Sequence, residues 1–208
     1  MSEEINDKDL YEVFRLFKEK KFSEAESLIK SGISRSHSEG NKEVEGLFES
    51  TYGMLFKLKQ DYKKAYKHYQ KAERLIPDDP ALKIINAELL IEQFKQYDTA
   101  ARKLEKTKKS HADNAVVLHR VLALQGMALY LQRKKNEARS CLESMVAQDF
   151  TELQFAANLD FKLVEVFARE GSENDLCKAY LKKALELAKA KQELGFINAI
   201  HHLLAGFD

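Results

Sequence analysis

The 208-residue chain holds only two prolines, Pro77 and Pro80, no tryptophan, and 34 basic against 33 acidic residues, a formal net charge of +1. That length can bury a substantial core, as one or two ordinary domains or a short array of repeats, and the abundant Ala, Leu, Glu and Lys favour helix throughout. Near-neutral charge gives no general pull toward nucleic acid or an anionic membrane, and no apolar run approaches the roughly 20 residues that span a bilayer.

The N-terminal residues 1–7 are acidic and lack an apolar core for a secretory signal, so a cytoplasmic location is expected, with Cys141 and Cys177 as free buried thiols. From there apolar residues recur at three- and four-residue steps, and no alternation is long enough for a strand. The pattern predicts helices over 7–20 and 22–36, then 42–59 and 62–76, then 80–95 and 97–111. It continues with 114–133 and 135–148, 150–170 and 173–191, and a last helix over 193–206. The breaks are short. In Pro77-Asp78-Asp79-Pro80 the first proline stops a helix, Asp79 can cap the next, and Pro80 suits a first helical position. No linker rich in Gly, Ser or Pro divides the chain, so one continuous domain over 1–208 is expected.

A short phrase recurs at the start of alternate helices: Phe22-Ser23-Glu24-Ala25, Tyr62-Lys63-Lys64-Ala65, Tyr97-Asp98-Thr99-Ala100, and Lys135-Asn136-Glu137-Ala138 with the aromatic lost. The alanines stand 40, 35 and 38 residues apart. Self-similarity at such spacing marks a solenoid of helical hairpins. The second pair resembles a tetratricopeptide repeat (TPR) through Gly53, Phe56, Tyr62, Ala65, Tyr69, Ala72 and Pro77. The third keeps Ala87, Ile91, Tyr97, Ala100 and Leu104, and the fourth keeps Gly126, Leu129, Ala138 and Leu142. The first pair lacks a small residue in the place of Gly53, and the fifth is registered on Cys177, Leu181, Ala184 and Ala188. The resemblance implies an all-α solenoid with a right-handed superhelix. It would have about five TPR-like pairs (7–36, 42–76, 80–111, 114–148, 150–191) and a C-terminal capping helix.

The sequence offers no motif for chemistry. It lacks a glycine-rich phosphate loop, His-Glu-x-x-His, Cys-x-x-Cys and a Gly-x-Ser-x-Gly elbow, so no catalytic, cofactor or metal residues are assigned and no enzyme is expected. His201 and His202 are adjacent and point to different faces of a helix, a poor geometry for one metal. Basic residues crowd two regions: Lys57, Lys59, Lys63, Lys64, Lys67, Lys71 and Arg74, then Arg102, Lys103, Lys106, Lys108 and Lys109. These read as solvated faces, and no nucleic-acid partner is expected.

In the tetratricopeptide family the first helix of each pair, helix A, lines a concave groove for a peptide. The resemblance places Met54, Ile85, Asn86, Leu89, Arg120, Met127, Tyr130 and Val166 there, with Met54, Leu89, Met127 and Val166 as an apolar ladder. Only Asn86, with Arg120 as a candidate second, falls on a position of the clamp that grips chaperone C-termini, which argues against that ligand. The expected partner is therefore a peptide or helical segment of another protein, bound by an adaptor or chaperone-like module. The alternative is a subunit that homodimerises through its end repeats, using Phe196, Ile197, Ile200 and Phe207.

Overall fold

A computed structural model describes residues 3–207, with side chains from Lys8 onward. Met1, Ser2 and Asp208 lie outside the described residues, and so do the side chains of the acidic N-terminal stretch. The elements are α1 Glu3–Lys18, α2 Phe22–Ser38, α3 Lys42–Leu58, α4 Tyr62–Leu75, α5 Pro80–Glu92, α6 Tyr97–Ser110, α7 Ala115–Leu131, α8 Lys135–Ala147, α9 Lys162–Arg169, α10 Asn174–Ala190 and α11 Leu194–Ala205. No strand occurs among the described residues. The chain divides into two compact units, Met1–Leu89 and Leu90–Asp208, with the boundary inside α5.

Most helices start and stop by one device. At the end of α3, the Asp61 N–H donates to the Phe56 carbonyl and the Gln60 N–H to the Lys57 carbonyl, while Gln60 takes a left-handed conformation at φ 60°. This is a Schellman stop, and Asp61 then caps α4 by accepting the Lys64 N–H at 3.2 Å. The same stop recurs at Lys20, Gly40, Arg133 and Gln192, each of which lies two residues ahead of the next helix. Asn41 and Asn114 cap α3 and α7 with their side chains. At the proline turn α4 ends before Pro77, Pro80 opens α5, and Asp79 accepts the Ala81 N–H at 2.7 Å.

The predicted helix over 150–170 is broken, and this is the main departure. Two 3₁₀ turns, Phe150–Leu153 and Ala156–Asn158, precede the short α9. Phe150, Leu153, Ala156 and Leu159 are all buried at three-residue intervals, which is the 3₁₀ repeat. Asp149 captures the Thr151 N–H, Gln154 sits at φ 67° and ψ −46° in a γ-turn closed by the Phe155 N–H on the Leu153 carbonyl at 2.8 Å, and the Asn158 side chain donates to the Leu153 carbonyl. These local bonds stand in place of the α-helical ladder.

In the first unit the fingerprint residues meet as small-against-large contacts. Ala25 and Ala65 have no exposure, and Gly53 faces the ring of Tyr69. Gly32 faces the ring of Phe48 in the same way, a contact between α2 and α3. Burial of Phe48, Leu55 and Ile29 contributes about 1.5–3 kcal/mol each.

The second unit is built on the same principle. Ala100 and Ala138 are fully buried, and Gly126 lies against Leu163 and the Cys141 β-carbon. Its core joins Leu122, Leu142, Met145, Phe150, Leu153, Leu163, Phe167, Tyr180 and Leu181. α11 packs on α10 as a cap, with Ile200 fully buried and Phe196, Ile197, Leu203, Leu204 and Phe207 against the core. Lys135, which replaces the phrase's aromatic, bonds Glu170 at 2.8 Å and lies over the Tyr130 ring at 5.8 Å.

Candidate protein-binding surface

Each unit presents its own set of the residues the motif assigned to helix A faces. In the first unit Met54 is 38% exposed on α3 and Ile85 is half-buried on α5. Asn86 and Leu89, by contrast, lie in the interior, at 0% and 1% exposure. The Asn86 amide donates to Glu73 at 2.6 Å and so is committed inside the fold.

Exposed apolar side chains the motif did not flag stand on α1 and α3. Tyr11 and Phe14 lie on α1, and Leu47 and Leu58 flank Met54 on α3. Leu47, Met54 and Leu58 follow i, i+7, i+11, one helical face, whereas Phe48, Tyr52 and Leu55 occupy the buried face. That second apolar stripe was the available signal, since a helix apolar on two faces needs something to cover the outer one.

In the second unit Met127, Tyr130 and Val166 are half-buried and pack against the common core. The Tyr130 ring meets Phe167 edge-on, with centroids 5.5 Å apart, and its hydrogen bond to Glu170 pushes the phenol pKa up to about 12. Arg120, nearer the start of α7, stands 3.6 Å from the Asp160 carboxylate, which is itself buried and accepts the Lys162 N–H at 3.0 Å. Lys162 reaches Glu92 at 2.5 Å. The exposed part of this face is therefore apolar around Met127 and Val166 and ionic around Arg120 and Lys162.

The lysine-rich stretch is more neutral than its sequence. Lys57 pairs with Glu88, Lys59 with Glu26, Lys64 with Asp61, and Lys71 with Glu45 and Glu49. Several of these acids come from neighbouring helices, so they do not show in the local sequence. Cys141 and Cys177 are free and buried, and burial pushes both thiols up to about 11, which keeps them protonated. Among the described residues no three metal-ligating side chains stand together, and no helix is long and apolar enough to cross a membrane.

Helical hairpins joined by repeated stops, with small residues wedged against large ones, define a repeat protein of the tetratricopeptide class of folds. Comparison with solved structures agrees. MamA RS-1, as an ArsTM double mutant, superposes with a TM-score of 0.60 at 18% identity, over 90% of this chain and 97% of its own. PilF of Pseudomonas aeruginosa gives 0.61 at 15% identity, over 95% of this chain and 89% of its own. Both are tetratricopeptide-repeat proteins, and the likeness shows the fold, an all-α TPR-type solenoid. No protein-family model and no curated protein matches the chain.

Proposed function

We propose that the chain is a non-catalytic adaptor or chaperone-like module that binds an apolar segment of a partner protein on its helix A faces. One observation carries this reading: five of the eight exposed large hydrophobic side chains among the described residues, Tyr11, Phe14, Leu47, Met54 and Leu58, lie on α1 and α3. Concentrated apolar exposure of this kind marks interaction surfaces, and a stripe at helical spacing suits an amphipathic helix or an extended apolar segment. The second unit adds Met127, whose side chain adapts to varied apolar partners, beside Tyr130 and Val166. The inert, buried thiols fit a reducing compartment, the cytoplasm.

Affinity capture with mass spectrometry, run on the intact chain and on Met54→Glu/Leu58→Glu and Met127→Glu variants, tests the reading. Both α3 positions are exposed, so these changes spare the fold, whereas a carboxylate at Leu89 would be buried. Partners held by the native chain and lost from the variants, at unchanged helicity, are expected. Equal capture by all would overturn helix A binding. The homodimer reading has less to rest on, because Phe196, Ile197, Ile200 and Phe207 pack against the core of their own unit.

A further inference from the structure

Within the second unit one ion pair joins helices that are two repeats apart. Lys162 opens α9 and reaches Glu92, the last residue of α5, at 2.5 Å across 70 residues of sequence. These are the helices A of the fifth and third pairs, so α7, the helix A of the fourth, comes between them in repeat order. Other pairs in this unit reach less far. Arg139 meets Glu143 and Arg169 meets Glu165 within one helix, and Lys135 meets Glu170 of the adjacent pair.

The root of Lys162 is fixed beside α7. Its N–H donates to Asp160 Oδ1 at 3.0 Å, and Asp160 Oδ2 stands 3.6 Å from the Arg120 guanidinium on α7. Asp160 is buried, so Lys162 starts next to the Arg120 end of the α7 face, and its side chain then crosses to α5. On that face Arg120, Ala123 and Met127 follow i, i+3, i+7. Arg120 and Met127 are half-buried, whereas Ala123 between them has no exposure. The first unit offers the contrast, since Met54 on α3 is open.

The bridge is built to break. Lys162 and Glu92 keep 43% and 35% of their side-chain surface in water, so solvent screens the attraction and parting them costs little. α9 has only eight residues and follows two 3₁₀ turns, the kind of interruption at which helices hinge. We infer that the Glu92–Lys162 pair is an ionic latch that shuts the helix A face of the second unit. Release of the pair lets α9 swing and uncovers the face between Ala123 and Val166. What the latch admits rests on the proposed use of the helix A faces, but the latch itself is a property of the chain alone.

The test uses the full chain carrying Val166→Cys, one turn beyond Lys162 on the same side of α9. Cys141 and Cys177 are buried and protonated, so the new thiol is the one that alkylates. Its rate with bulky, uncharged N-(1-pyrenyl)maleimide is divided by its rate with N-ethylmaleimide, which cancels changes in thiol reactivity. Both rates are read by mass spectrometry on the singly labelled chain. This ratio should rise about threefold in Glu92→Lys and in Lys162→Glu, in keeping with a half-exposed pair. It should return to its starting value in the double variant Glu92→Lys/Lys162→Glu, where the pair re-forms with its charges exchanged. Arg169→Glu, whose partner lies within α9, should leave the ratio unchanged. A ratio that stays flat in both single variants, stays raised in the exchanged pair, or rises as much in Arg169→Glu would rule the latch out. No partner enters this measurement, so the latch and helix A binding fail separately.

Discussion

Gly53 on α3 lies against the ring of Tyr69 on α4, so closely that a β-carbon there would stand 2.9 Å from two ring carbons. The ring belongs to a fully buried side chain in a packed interface and has little room to move. Gly53→Ala should therefore destabilise the first unit by about 1–3 kcal/mol, although alanine is the better helix former. Tyr69→Phe should cost little or stabilise, since the buried Tyr69 hydroxyl has no hydrogen-bond partner among the described residues. Urea unfolding followed by circular dichroism measures both. A Gly53→Ala variant as stable as the native chain would mean that the helices are not held at this distance.

The left-handed stops make opposite predictions for two residues in the same conformation. Gln60 at φ 60° carries a side chain where the backbone favours glycine, at a cost of roughly 1 kcal/mol. Gln60→Gly removes that cost but loosens the unfolded chain, so a net gain of about 0.5 kcal/mol is expected. Gly40 at φ 69° has open space around it, so Gly40→Ala suffers only the backbone conformation and should lose about 1 kcal/mol. Thermal melts of the two variants should move in opposite directions.

The two features differ in how far they can be read from the sequence. The wedged residues Gly53, Ala65, Ala100, Gly126 and Ala138 are legible because close helix crossing admits few side chains, and all are buried. The stops at Lys20, Gln60, Arg133 and Gln192 are hidden, because each uses a residue with no turn preference in place of glycine. Residues 150–159 mislead for another reason. A three-residue apolar interval fits one stripe of an α-helix as well as a 3₁₀ run, and bonds from Asp149 and Asn158 decide between them. On the binding face, motif register assigns Leu89 and Met54 equivalent positions, but register does not state what covers each one, and the first is buried while the second is open.

A buried carboxylate ties three elements of the first unit together. Glu49, 3% exposed, accepts from His68 and Lys71, each at 2.7 Å, and Lys71 also reaches Glu45, which bonds His37 at 3.0 Å. Burial works to raise the Glu49 pKa, but the hydrogen bonds from His68 and Lys71 outweigh it and hold the carboxyl below its usual range. The ionised carboxylate thus contributes stability in full above the unfolded value of about 4.3, and this is lost as pH falls through the lower folded value. Glu49→Gln should cost about 2 kcal/mol at pH 7, less than for a fully buried pair because the half-open Lys71 can rehydrate. Urea midpoints of the two proteins should converge below about pH 4. A gap constant down to pH 3 would assign the loss to shape rather than charge.

His119 provides a second, separate acid sensitivity in the other unit. Its Nδ1 is 2.7 Å from the Gln148 amide oxygen, which can only accept, so Nδ1 carries the proton; the single Tyr180 hydroxyl proton is shared between Nε2 at 2.9 Å and the Asp160 carbonyl at 3.2 Å, and the neutral ring takes it at Nε2. Burial lowers the His119 pKa against the opposing pull of the Gln148 bond, so the neutral ring is the folded form. The unfolded chain takes up a proton near pH 6.5 while the folded one does not. Stability is therefore complete above that pH and falls as the solution is acidified toward the folded pKa, below which both states are protonated. Tyr180→Phe removes the hydroxyl that lies against both Nε2 and the Asp160 carbonyl and should cost about 1–3 kcal/mol near neutrality. Following the His119 ring resonances by NMR checks the titration directly, and a midpoint at or above 6.5 in the folded chain would refute the buried neutral imidazole.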